Sequence, residues 1–236
     1  MLPKIAHPIF EVEIPSTKKK VKMRPMLVRE EKILLMAKAS GEFADMFSSV
    51  SQIVNNTVVA DNFDVTKLTI FDLEYLFVKL RAQSVNNIAK VSYRDGNDDQ
   101  VRDFSVDLNK VEMKWPETEP NKIVPINDQF SILLKYPAAS LYSSKDFLEN
   151  KDENLDVILI SMIDKIVNGD QMVQPELESK ENIKEFVNEL PISTYNAIKD
   201  FWASMPTLFY EISYRNTKDE ERKIVLSSLQ DFFTFV

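Results

Sequence analysis

Residues 69–108 read TIFDLEYLFVKLRAQSVNNIAKVSYRDGNDDQVRDFSVDL, and the hydrophobic period changes within the stretch. Ile70, Leu73, Leu76, Phe77 and Leu80 recur every three or four residues, the spacing of a helix face, and Tyr75 and Val78 widen that face. Thr69 with Asp72 three residues on has the form of a capping box, so a helix is expected from Ile70 to Gln83. From Ala89 the period drops to two. Ala89, Val91 and Tyr93 alternate with Lys90, Ser92 and Arg94, and Phe104, Val106 and Leu108 alternate with Asp103, Ser105 and Asp107. Asp95-Gly96 between them is a turn pair. A widely buried helix leading into an antiparallel hairpin places the chain in the α+β class.

The same two periods organise the flanks. Towards the N-terminus, Phe10, Val12 and Ile14 alternate with Ile9, Glu11 and Glu13; Pro15 to Lys18 can turn the chain, and Lys19 to Met23 can return as a second strand. Val28, Leu34 and Leu35 with the Glu30-Glu31 pair suit a helix that Gly41 interrupts. Phe43, Met46, Phe47, Val50, Ile53 and Val54 suit a second helix. Downstream, Val111 to Trp115, Lys122 to Ile126 and Phe130 to Lys135 are strand candidates, making residues 87–136 the β-rich region. Leu155, Ile158, Leu159, Met162, Ile163 and Ile166 then read as one helix face closed by Asn168-Gly169. A helix through Ile183 to Leu190 is broken by Pro191, and Tyr195, Ile198, Phe201 and Trp202 continue in another. Leu208 to Tyr214 alternates strictly, with a polar turn at Asn216–Glu220 and a return strand from Arg222 to Leu226. The expected fold is α+β: an N-terminal hairpin, central strands over 87–136 and a C-terminal hairpin, packed with several helices. It is read as one body over 1–236 with a helical subdomain at about 138–204; Glu117–Asn121 and Gln171–Ser179 are the linker-like stretches.

Composition removes many chemistries. The 29 basic and 37 acidic residues give a formal charge of -8, which repels phosphate backbones and speaks against nucleic acid as a partner. With no cysteine there is no thiolate nucleophile and no Cys-based zinc site, and the composition suits a reducing cytoplasm. His7 is the single histidine and is expected as an exposed terminal residue, so no multi-histidine metal site can form. Gly41, Gly96 and Gly169 lie too far apart for a phosphate-binding loop. Asp98-Asp99 beside Asn97 reads as a solvated hairpin tip rather than a cation site. No stretch approaches the ~20 apolar residues of a membrane span, and the N-terminus lacks a signal-peptide pattern. The residues therefore point to a protein that is not an enzyme and carries no cofactor or metal. Among 15 phenylalanines, the closing Phe-Phe-Thr-Phe-Val draws attention. Phe232 and Phe233 are expected in the core or as an anchor for a partner.

Several segments resemble a known family. Residues 22–37, KMRPMLVREEKILLMA, and 71–85, FDLEYLFVKLRAQSV, are similar in wording to the baseplate hub subunit and hub assembly proteins of T-even-like contractile-tailed phages. Residues 132–137 and the closing 205–208 and 229–233 resemble the same family in the same order. The resemblance implies a hub component, or a factor that assembles the hub, working by protein–protein docking in the infected host cytoplasm or in the virion tail baseplate. Its expected partners are other baseplate hub proteins, with self-association as a further possibility, and there are no catalytic residues to carry over. Arg24, Pro25, Glu30, Glu31, Asp72, Glu74 and Arg81, with Phe232 and Phe233, are the candidate structural or interface positions. Each polar one could equally serve only local caps and pairs. The alternative from another class is a tail-associated lytic hydrolase.

Overall fold

The structure is a computed structural model that describes residues 5–41, 43–144, 147–148 and 154–233. It is α+β, with every sheet antiparallel, and the chain divides into two compact units, residues 1–114 with 207–236, and residues 115–206.

In the first unit, β1 (Phe10–Glu13) pairs with β2 (Lys20–Met23), Phe10 opposite Met23. Lys18 turns the chain at a positive φ of 59°, and its N–H donates to the Ile14 carbonyl at 2.9 Å. Helix α1 (Val28–Ser40) ends at Gly41, whose φ of 71° is the left-handed geometry that glycine adopts without a Cβ penalty. Helix α2 (Phe43–Thr57) buries Met46, Phe47, Val50, Ile53 and Val54 of the stripe its spacing predicts, and the Phe43 side chain lies outside what the structure describes. Helix α3 (Ile70–Ser84) is capped as expected: Thr69 Oγ1 accepts from the Asp72 N–H at 3.3 Å, and Asp72 Oδ2 accepts in turn from the Thr69 N–H and hydroxyl. Phe71, Leu73, Leu76, Phe77, Val78 and Leu80 are all buried, which explains the width of the apolar face.

The strand segment of the opening stretch forms β3 (Ile88–Arg94) and β4 (Val101–Asp107), in register from Ile88 opposite Asp107 to Arg94 opposite Val101. A third sheet orders β5 (Glu112–Lys114), β10 (Thr207–Arg215) and β11 (Glu221–Leu226), with β10 in the centre. A final helical turn at Leu229–Phe232 buries Leu229 and Phe232. The aromatic stretch of the sequence extends to Phe235, but Thr234 to Val236 lie outside the described residues.

The second unit holds the four-stranded sheet β6 (Ile123–Pro125), β7 (Phe130–Leu134), β8 (Ile163–Asn168) and β9 (Gln171–Val173), in that order. Helices α4 (Asn154–Ser161), α5 (Lys180–Asn188) and α6 (Ile192–Ala203) accompany it. Val124, Ile132, Leu134, Ile158, Leu159, Met162, Ile163, Val187, Ile198 and Phe201 make one core, and Tyr136 stacks on Phe201 with centroids 5.0 Å apart. One expectation fails here. The helix read through Leu155 to Ile166 stops at Ser161, and Ile163–Asn168 is a strand paired to β7, Phe130 opposite Asn168. The β-branched Ile163, Ile166 and Val167 suit that pleated surface, and the ladder supplies hydrogen bonds a continued helix would have made internally. Gly169, at φ 56°, closes a hairpin to Gln171–Val173 rather than capping a helix, so part of the linker-like 171–179 stretch is strand.

Candidate functional site

Of the polar residues singled out by the sequence, Arg24, Glu30, Asp72 and Glu74 form separate pins that join elements distant in the chain. Glu30, at the start of α1, is completely buried. Arg24 reaches it with both guanidinium nitrogens, at 2.8 and 3.3 Å, and Arg29 Nε donates at 2.7 Å. Glu30 Oε2 also accepts the Leu27 N–H at 2.8 Å. Burial alone would raise this carboxyl, but the donors from Arg24, Arg29 and Leu27 outweigh it and bring its pKa to about 2. Arg24 further donates to the carbonyls of Pro25 and Asn56, both at 2.9 Å, tying the end of α2 to the same knot. Pro25 contributes through that carbonyl. Glu31 sits beside this knot, partly exposed.

Asp72, also buried, does more than cap its helix. Its carboxylate accepts from the Ser16 N–H at 2.8 Å and the Ser16 hydroxyl at 2.5 Å, fastening the β1–β2 turn to the start of α3. Two residues on, Glu74 Oε1 accepts the Leu229 N–H at 3.1 Å and so holds the C-terminal helical turn. Burial pushes the Glu74 carboxyl up to about 7, the Asp231 carboxylate adding to the rise and the Leu229 N–H opposing it. Met46, Phe47, Ile70, Ser228, Leu229 and Gln230 line, with Glu74, a cavity of about 220 Å3. Phe232 is 1 % exposed, and the Phe233 ring meets Phe77 edge-on at 5.5 Å. Arg81 Nη1 is buried with no hydrogen-bond partner among the described residues. Thus Arg24, Pro25 and Glu30 come together, as do Glu74 and the segment carrying Phe232 and Phe233, while Asp72 serves a different pin.

Two further pins escape sequence reading. Lys79 Nζ donates to the carbonyls of Leu108, Asn109 and Val111 at 3.3, 2.9 and 2.7 Å, closing the turn that follows β4. Desolvation lowers the pKa of this ammonium, with Glu112 and Asp107 opposing. The second corrects the reading of the β3–β4 tip as simply solvated. Asp98 is bonded to Arg102 and accepts the Thr217 N–H at 2.9 Å and hydroxyl at 2.8 Å. Asp95, itself buried, accepts from the Tyr214 hydroxyl at 2.7 Å, and Lys218 Nζ donates to the Asn97 carbonyl at 2.6 Å. The tip therefore locks onto the β10–β11 turn. The hydrogen bond from Arg102 holds the Asp98 carboxyl well below the usual carboxylate range against the opposing effect of desolvation, with the Thr217 donors assisting. The sequence signal was weak: a cluster of Asx residues at a hairpin end, and an equally polar turn 119 residues later.

Among the described residues no group of three or more His, Asp or Glu is placed to hold a metal, and no helix is long and apolar enough to cross a membrane. His7 is exposed. The most strongly perturbed carboxyls, on Glu30, Glu74 and Asp98, are each bonded to protein donors. What the arrangement accomplishes is to fix hairpins and helix ends against one another. No curated protein and no solved structure matches the chain. A family model described as T4 bacteriophage base plate protein matches residues 7–234, and the chain belongs to that family.

Proposed function

We propose that this base plate protein acts in the hub of the baseplate, as a non-enzymatic hub component or hub assembly factor, by docking onto other phage proteins during tail morphogenesis in the host cytoplasm. The observation that supports this reading is the family match over nearly the whole chain, joined to charged groups committed to internal pins. Arg24, Glu30, Asp72, Glu74 and Asp98 serve the scaffold, which holds exposed surfaces in fixed geometry for partners. Rigid presentation lowers the ordering cost of binding, and that is the physical use of so many long-range polar bonds.

The test is affinity purification of the tagged full chain from infected cells, with mass spectrometry of both the bound proteins and purified virions. Recovery of hub proteins supports the docking role. Presence in virions makes the chain a resident subunit, and absence makes it an assembly factor. Normal baseplates formed in infections lacking the chain would overturn the proposal.

A further inference from the structure

Helix α1 departs from the pattern of its neighbours. The solvent side of α2 carries Asp45, Ser48, Gln52, Asn55 and Asn56, all exposed and polar. The solvent side of α1 carries Val28, Leu35 and Met36 at 73, 56 and 74 % exposure, with Ala39 and Lys32 also exposed. Val28, Lys32, Leu35 and Ala39 follow one another at spacings of four, three and four, so they form a single seam along the helix, and Met36 borders it. The opposite face is spent on the core through Glu30 and Ala37. At 1.5 Å per residue the seam runs about 16 Å, enough for a partner helix to lie along it for three turns. The Arg24–Glu30–Arg29 knot fixes the first turn of α1, so the seam is presented without an ordering cost.

The charge on this face identifies the occupant. Glu30 is buried and neutralised inside, leaving Lys32 within the seam and Lys38 and Arg29 beside it against the single carboxylate of Glu31. The outward face of α1 is cationic on a chain of net charge -8. A second copy of α1 would bring lysine against lysine and arginine, which is unfavourable in an apolar seam. We propose that the α1 seam docks an acidic amphipathic helix of another protein of the baseplate, its apolar residues packing on Val28, Leu35 and Met36 and its carboxylates meeting Lys32 and Lys38. The inference rests on the docking role proposed above and names the surface and the partner's chemistry.

The experiment places a photo-crosslinking benzophenone amino acid at position 35 of the full chain, and at position 225 or 192 in separate full-length variants, in infected cells. Val225, on β11, and Ile192, at the start of α6, are exposed positions on other elements, at 49 and 79 %. The expected result is a crosslink from position 35 to a helix-forming segment of a baseplate protein that is rich in Asp and Glu with apolar residues at three- and four-residue spacing. The pair Lys32→Glu and Lys38→Glu should cut that crosslink about tenfold while leaving the circular dichroism spectrum unchanged. Crosslinks to a second copy of this chain, to a basic segment, or with a yield indifferent to the charge reversal would overturn the proposal. Baseplate crosslinks from position 225 or 192 and none from position 35 would also overturn it while leaving the docking role standing. No baseplate crosslink from any site would bring down both.

Discussion

Replacing Glu74 by Gln removes a titratable charge but keeps an oxygen to accept the Leu229 N–H, which the wild-type carboxyl binds at 3.1 Å. Glu74 titrates near 7 in the folded protein against an ordinary value of 4.5. Between those two values the folded state holds a proton that the unfolded chain has released. Stability therefore falls as pH rises from 4.5 to about 7 and is level with respect to this group above that. The full linkage is about 3 kcal/mol, and solvent access to the partly exposed side chain reduces it to about 1–2 kcal/mol. In Glu74→Gln this loss is absent. At pH 5 the variant should match wild type within about 0.5 kcal/mol, and at pH 8.5 it should be the more stable by about 1–2 kcal/mol. Trp115 and Trp202 both belong to the second unit, so tryptophan fluorescence is the wrong probe. Urea unfolding followed by far-UV circular dichroism, with amide exchange at Leu229–Phe233, reads the affected segment directly. An equal difference between variant and wild type at both pH values would refute the account of Glu74 as a proton-holding latch.

Arg24→Ala leaves the buried Glu30 with Arg29 as its remaining cation and should cost about 3 kcal/mol, read as a lower urea midpoint. Because Glu30 is held at about 2 instead of 4.5, the stability it contributes is complete above 4.5 and lost as pH falls towards 2, a dependence that Glu30→Gln should flatten. Asp98→Ala should speed amide exchange at both Asn97–Gln100 and Asn216–Glu220 and leave α2 protected; protection unchanged at the second turn would show that the two tips are not coupled. Phe232→Ala should destabilise by about 3–4 kcal/mol by opening a cavity beneath the C-terminal turn, measured by the same unfolding assay.

The division of the fold into helices and hairpins was legible wherever one period ran unbroken. Ile70 to Leu80 and Ala89 to Leu108 show this, since each keeps one period along its length and has a capping or turn residue at its boundary. Residues 155–166 were not legible, because Leu155, Ile158, Leu159, Met162, Ile163 and Ile166 satisfy a helical period even though the chain changes structure at Met162. Only pairing with Phe130–Leu134 decides that segment, and pairing is a long-range fact. The pins divide in the same way. The Thr69–Asp72 cap is local and was read from spacing. The Ser16 donors to the same carboxylate come from 56 residues away, and no local pattern announces them. Asp98 looked like any solvated tip because its partner turn is remote in sequence.

Two-stranded hairpins such as β1–β2 and β3–β4 cannot stand alone in water, since each has too little apolar face to offset the entropy of ordering it. Burial of Val12, Met23, Val91 and Val106 supplies part of the remedy, but apolar packing is tolerant of sliding and would leave the hairpin tips free to swing. Directional bonds to carboxylates remove that freedom at three points: Ser16 on Asp72, Thr217 on Asp98 and Leu229 on Glu74. Asp72 and Asp98 each have several donors in place, so their burial costs little where a lone charge would be expensive, whereas Glu74, with the Leu229 N–H alone, holds a proton up to about pH 7. The consequence is a division of labour within the first unit. Buried acids give α1, the hairpins and the C-terminal turn one geometry, and the exposed apolar and cationic residues of α1 are left outside that network, available to another protein. A protein built this way changes its partner affinity through surface substitutions such as Leu35 and Lys32, and its stability through Glu30, Asp72 and Asp98. If Leu35→Ser lowered the unfolding midpoint as much as Phe232→Ala does, that separation of roles would be wrong.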